Sequence, residues 1–341
     1  MEFKDIEEID TNKMFKVYDQ WPEIAKNYFR KRFTKLNFQN IENIVFVGMG
    51  GSGAIGDVFA SILSKTNLRV SVIKGYNFPK HVDKKTLIIA ISISGNTDET
   101  NSILKESINY NCKILGISSG GKMEEFCNQH KLEFRKVKRF NSPRESFAAF
   151  LFSLLNILSP IIPMKPNDID EAIDEMFKLR KVIATENLTE TNLSLKLAKW
   201  IDHTPIIYYP FGFESVAIRF KSSLQENAKS HVIIEDVMEA SHNGIVAWEK
   251  KSKIKPILIR GPNDHPKTFQ KYEIFKRYFQ EKKIDFYEIF SIDGNILSKI
   301  VNLIYLLDFC SIYRAVLDKT NPFPVKSIDY IKEKISNEGL E

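Results

Sequence analysis

The 341-residue chain has only three cysteines, Cys112, Cys127 and Cys310, and their spacing is irregular. An odd, unpatterned set builds no disulfide framework and suits a reducing compartment, so a cytoplasmic location is expected. Long apolar runs are also missing. The two richest stretches, around 148–162 and 296–317, are broken by Ser, Asn, Asp, Arg or Pro. Both fall short of the roughly 18 uninterrupted apolar residues that mark a spanning helix. They read as buried core helices, and no membrane partner is expected. The start, MEFKDIEEIDTNKMF, has neither a basic n-region nor an apolar h-region, so no secretory signal is expected. Charge of one sign is not concentrated either: 49 Lys and Arg against 43 Asp and Glu leave a net +6. The KRFTK and FRKVKR runs are short and accompany no nucleic-acid-reading motif, so they read as solvated faces and no nucleic-acid partner is expected. A mild positive field does suit a small anionic substrate. Cys127 and His130 form a single C-x-x-H pair without a second, too few ligands to imply a metal.

What the chain does have is alternation. Strand-like runs at 43–48, 68–74, 86–93, 112–118 and 132–137 are separated by helix-length periodic segments at about 52–65, 97–110 and 121–130, with a long one at 142–159. This predicts a parallel sheet with helices on both faces. Near-continuous apolar runs such as LIIAISI suit strands buried on both sides. Pro163 and Pro166 mark a boundary, after which the pattern begins again. The fold class expected is α/β, with two tandem doubly wound parallel-sheet domains and a C-terminal helix. Residues 1–37 form an N-terminal helical segment, 38–163 the first domain and 164–341 the second. Two such domains would form a cleft at the carboxyl ends of their strands, where open α/β sheets bind ligands.

Residues 41–63, IENIVFVGMGGSGAIGDVFASIL, read as a short strand, a turn carrying four glycines and a helix. Gly48, Gly50 and Gly53 meet the G-x-G-x-x-G spacing of a dinucleotide site. The same physics holds any anion, because the first N–H groups of a helix are unpaired and point outward. Two features turn the reading away from a dinucleotide. The following strand ends VIKGYN, with Lys74 where a ribose-binding site needs Asp or Glu. The next strand-to-helix turn reads SISGNTDET and presents Ser92, Ser94 and Thr97 around Gly95. With Ser52, these hydroxyls and the N–H groups of two helix starts make a cradle for one phosphate dianion. Ser92 and Thr97 alone would also suit helix capping, but two such turns on neighbouring strands favour the cradle.

In order along the chain, GMGGSG, SISGNTDET, SPRESFAAFLF, FKSSLQENAKSH and EASHNGIVAWE resemble the bifunctional phosphoglucose/phosphomannose isomerases, which are built from two sugar-isomerase domains. The likeness spans nearly the whole chain. Its first two motifs also occur in phosphosugar regulators and aminosugar enzymes, whereas the later three are far more specific to the isomerases. An aldose–ketose conversion needs a base to carry a proton between C2 and C1, a cation facing the enediolate and an acid/base that opens the ring. The resemblance implies that Glu226 of LQENAK is the base, that Arg144 of SPRES faces the enediolate and that His242 of ASHNG opens the ring. Glu226 and His242 are 16 residues apart. Along one helix that would be about 24 Å, so they converge only by tertiary or quaternary folding. In the family the histidine comes from the neighbouring subunit, which implies a homodimer. A lysine in the last helix that assists ring opening is placed at Lys332 of PVKSIDYIK, with Lys326 and Lys319 nearby.

The expectation is a cofactor-free isomerase that interconverts glucose 6-phosphate and fructose 6-phosphate, and mannose 6-phosphate as well. Its phosphate is expected on Gly51, Ser52, Ser92, Ser94 and Thr97. Two positions depart from the family: Val325 stands where a threonine is associated with tolerance for mannose, and the chain reads HNG where relatives often read HNE. The alternatives are a phosphosugar-sensing module and an isomerase of an aminosugar phosphate.

Overall fold

Residues 1–337 are described by the computed structural model of the chain. Three short helices come first: α1 (Phe3–Ile9), α2 (Met14–Asp19) and α3 (Trp21–Arg30). Lys13, in the left-handed region at φ 54°, separates α1 from α2. Pro22 lies in the first turn of α3, where a missing N–H costs nothing. Trp21 stacks on Tyr18 at 4.8 Å, on Phe147 at 5.8 Å and on Tyr305 at 5.7 Å. The N-terminal helices are thereby built into the core.

The first sheet contains β1 (Asn43–Val47), β2 (Arg69–Ile73), β3 (Thr86–Ser92), β4 (Lys113–Ser118) and β5 (Glu133–Lys136). They are all parallel and ordered β2-β1-β3-β4-β5. The central β3 is buried at every position, as its unbroken apolar run requires. The connecting helices are α4 (Gly50–Leu63), α5 (Asp98–Ser107) and α6 (Gly121–Gln129), and α7 (Phe147–Ile157) follows the sheet.

The second unit begins with α8 (Pro166–Ile183) and α9 (Leu193–Trp200). It continues through β6 (Pro205–Tyr209), α10 (Glu214–Asn227), β7 (Ile233–Asp236) and the short α11 (Val237–Ala240). A 3-10 turn over Gly244–Glu249 leads to β8 (Lys255–Arg260), α12 (Pro266–Glu281) and β9 (Tyr287–Phe290). The long α13 (Ile296–Leu317) and α14 (Lys326–Asn337) close the described chain. This sheet is also parallel, in the order β7-β6-β8-β9. Chain direction along each sheet reverses once, at β1/β3 and at β6/β8, and such switch points open a crevice at the strand ends.

Two segments differ from the sequence expectation. The helix expected at 142–159 begins only at Phe147. Ser146 Oγ donates to the Ser142 carbonyl at 2.9 Å and accepts from Phe140 N–H at 2.9 Å, so residues 142–146 form a side-chain-stitched turn that puts Arg144 outside the helix. The short α11 has no counterpart in the sequence reading; it is started by Asp236, whose Oδ1 accepts from the N–H groups of Met238 (2.7 Å) and Glu239 (3.2 Å).

A continuous cluster of buried apolar side chains runs from Ile6 and Trp21 through Ile55, Leu87 and Phe150 to Phe220, Leu307 and Phe309. The two sheets and the N-terminal helices therefore share a core. By length and composition α13 could cross a membrane, but 89% of its most apolar 18-residue window is buried inside the protein. It is the central packing helix, as its interrupted apolar run predicts.

Candidate active site

The last turn of α10 carries Glu226, and the turn before α7 carries Arg144. The two meet where the two units join, with Arg144 Nη1 3.2 Å from Glu226 Oε2. Arg144 is buried, whereas the Glu226 side chain keeps 27% of its exposure. Arg144 Nη2 donates to the carbonyl of Phe323 at 2.8 Å, in the segment between α13 and α14. Its Nε and Nη1 are buried without a hydrogen-bond partner among the described residues. Buried donors are nearly always paired in native proteins, so Nε, with neither a hydrogen bond nor an ion pair, and Nη1, with only the Glu226 carboxylate near it, leave room for an oxygen ligand.

Lys229, two residues beyond α10, sits at φ 56° and folds its ammonium back onto the chain. Its Nζ donates to the carbonyls of Glu226 at 2.6 Å and Pro322 at 3.2 Å, joining α10 to the segment that holds Arg144. Burial first, and then the charge of Arg144, push Lys229 down to about 8, with Glu226 pulling the other way.

The glycine turn and the SISGNT turn follow β1 and β3, on the two sides of the first switch point. Ser52 is buried, and its Oγ accepts from Ile93 N–H at 3.2 Å, which stitches the two turns together. Ser92 Oγ accepts from Gly95 N–H at 3.0 Å and Thr97 N–H at 3.3 Å, and lies 2.8 Å from Thr97 Oγ1. Ser94 Oγ accepts from Asn96 N–H at 3.2 Å. Thr97 stands at the N-cap of α5 but makes no side-chain cap bond there, and Met49 caps α4 with none either. The hydroxyls thus brace the turn rather than cap a helix, and the first N–H groups of both helices lack a side-chain cap. Lys74 pairs with Asp57 on α4 at 2.6 Å.

Gly51 brings the cradle to the Arg144 turn. A Cβ added there would lie 3.5 Å from the Pro143 carbonyl oxygen and 3.7 Å from Arg219 Nη1. The other expected residues are not brought together within one chain. His242 is exposed just beyond α11 and makes no hydrogen bond or ion pair with Arg144 or Glu226. Gly244 has a local cause, since a Cβ there would collide with the Glu235 carboxylate. Lys332 and Lys326 are exposed on α14, while Lys319, at φ 52°, ends α13. Sequence reasoning passed over Lys229 and Arg219, although Arg219 precedes Glu226 by two helical turns, a spacing that places both on one face of α10.

Two family models match the chain: a SIS domain over residues 37–158 and a bacterial phospho-glucose isomerase C-terminal SIS domain over residues 190–335. A bifunctional phosphoglucose/phosphomannose isomerase of Caldicellulosiruptor bescii is 31% identical over 331 residues, which cover 94% of this chain and 98% of that protein. The chain belongs to the bifunctional phosphoglucose/phosphomannose isomerase family. Among the relatives of this isomerase family member is also a D-glucosamine-6-phosphate 4-epimerase of Sulfolobus acidocaldarius, 27% identical over 254 residues, covering 74% of this chain and 78% of that one. In fold, the chain is similar to a hypothetical protein of Thermus thermophilus, with a TM-score of 0.71 at 14% identity, covering 98% of this chain and 89% of the other.

Proposed function

We propose that the protein interconverts glucose 6-phosphate and fructose 6-phosphate, and mannose 6-phosphate with fructose 6-phosphate, through a cis-enediolate. The observation that carries this reading is the Arg144–Glu226 pair: a partly exposed carboxylate beside a buried guanidinium whose Nη1 has only that ion pair and whose Nε makes no hydrogen bond among the described residues. Glu226 takes the proton from C2 of the aldose and returns it to C1. Nε and Nη1 of Arg144 face the oxygens on which negative charge grows. Donors preset for that charge are worth about 10²–10³ in rate. Gly51, Ser52, Ser92, Ser94 and Thr97 hold the phosphate, whose remote binding energy orients the reacting carbons.

In this reading residues 38–163 supply the cradle and Arg144, residues 164–341 supply the base, and residues 1–37 brace both. The ring is opened by His242 of the partner subunit in a homodimer, with Lys332 assisting, in the cytoplasm and without a cofactor. The His242 side chain is exposed and makes no hydrogen bond or ion pair among the described residues, which is consistent with such a role.

The test is a coupled assay of purified protein with each hexose 6-phosphate, in the presence of chelator. Turnover of glucose 6-phosphate is expected; no turnover of any of the three ends the proposal. The second reading, favoured by the epimerase relative, is an aminosugar phosphate substrate. Conversion of glucosamine 6-phosphate, with or without ammonia release, and no conversion of glucose 6-phosphate would favour it.

A further inference from the structure

Arg219 and Asp308 form an ion pair almost wholly removed from solvent. Arg219 Nε donates to both carboxylate oxygens at 3.2 and 3.0 Å, and Nη2 donates to Oδ2 at 2.6 Å. Ser223 Oγ donates to Oδ1 at 2.6 Å, and the guanidinium lies 4.4 Å from the Phe147 ring centre. Burying two charges costs about as much as their attraction returns, and apolar replacements of similar volume are often as stable or more so. Stability therefore does not account for the pair.

Its remaining contacts do. Arg219 Nη2 also donates to the main-chain carbonyl of Arg144 at 3.1 Å. Nη1 makes none of these bonds and faces Gly51, at 3.7 Å from where a Cβ would stand. Arg219 is thus anchored from α13, sits on the helix that carries Glu226, and reaches both the Arg144 turn and the phosphate turn of the other unit. An arginine fork fixes directions that a single ammonium cannot.

We infer that Arg219 is a positioning residue for the isomerisation: it sets Arg144 through its main-chain carbonyl and holds the Gly51 turn in register with Glu226. The inference rests on the isomerase reading above. Misplacing a reacting group by about 1 Å costs about 100-fold in rate.

Two variants test it, alongside the wild type assayed with glucose 6-phosphate and fructose 6-phosphate. R219M/D308L replaces the pair with apolar side chains and is expected to keep or raise the melting temperature while kcat falls about 10- to 100-fold. R219K keeps the charge but loses the fork, and is expected to lose kcat with little change in melting temperature. Either variant, folded and with wild-type kcat and KM, overturns the inference while leaving the isomerase reading intact. An inactive wild type overturns that reading and the inference with it.

Discussion

Arg144 Nη1 lies 3.2 Å from Glu226 Oε2, a contact between the turn that precedes α7 and the end of α10. It is at ion-pair distance, yet Nη1 makes no hydrogen bond among the described residues. An enediolate oxygen arriving there would take up donors that are already desolvated. R144K keeps a charge but loses the planar fork, so kcat is expected to fall about 10²–10³-fold with a much smaller change in KM. Steady-state kinetics on both sugar phosphates checks this. A wild-type kcat in R144K would remove Arg144 from the transition state.

Much of this arrangement is legible in the sequence because it is local. Apolar runs separated by helix-length segments place the strands of the first sheet, and the glycine and SISGNT motifs place two turns beside its switch point. Arg144 is harder to place, since apolar periodicity runs smoothly into the segment before α7 and only the bonds of Ser142 and Ser146 hold it out of the helix. Arg219 and Lys229 have little local signature beyond the two-turn spacing of Arg219 from Glu226. Their importance comes from Asp308, Arg144 and Pro322, contacts that span 75 to 93 residues of sequence. His242 is the extreme case, because its proposed role needs a second chain.

That proposed role makes a prediction about mixed dimers. E226Q and H242N are each expected to be nearly inactive alone. If His242 serves the neighbouring site, a mixed dimer has one site with both residues intact, and a statistical mixture recovers about one quarter of wild-type activity. Co-expression with two different tags measures it. No recovery would place His242 in its own chain's site, and an active H242N alone would place it outside catalysis.

Gly50 and Gly95 both lie in the left-handed region, at φ 51° and 78°. A Cβ on Gly50 would meet nothing within 4 Å, whereas one on Gly95 would collide with the Gly120 carbonyl. G50A is therefore expected to cost about 1–2 kcal/mol from backbone strain alone. G95A adds overpacking of the turn, for about 2–5 kcal/mol in all. Urea denaturation gives both numbers, and equal losses would contradict the packing argument.

Lys229 gives the pH dependence. Its folded pKa of about 8 lies below the unfolded value near 10.4, so its charged form costs stability below pH 8. That cost disappears as pH rises from about 8 towards the unfolded value. Activity is expected to run the other way, because the ammonium ties Pro322, and with it Phe323, to the end of α10. The wild-type kcat/KM profile, which reports the free enzyme, should fall on its basic side with an apparent pKa near 8. In K229M that limb should be absent, and an unchanged limb in the variant would assign it to another group.

On this mechanism Glu226 moves the proton between C1 and C2. The direct measurement is solvent exchange: wild type and E226Q are incubated with fructose 6-phosphate in D2O, and deuterium at C1 is followed by NMR. Exchange is expected from the wild type, with a loss of about 10²–10⁴-fold in E226Q, the scale of removing a general base. Exchange by E226Q at the wild-type rate, or binding of fructose 6-phosphate by the wild type with no exchange, would contradict it.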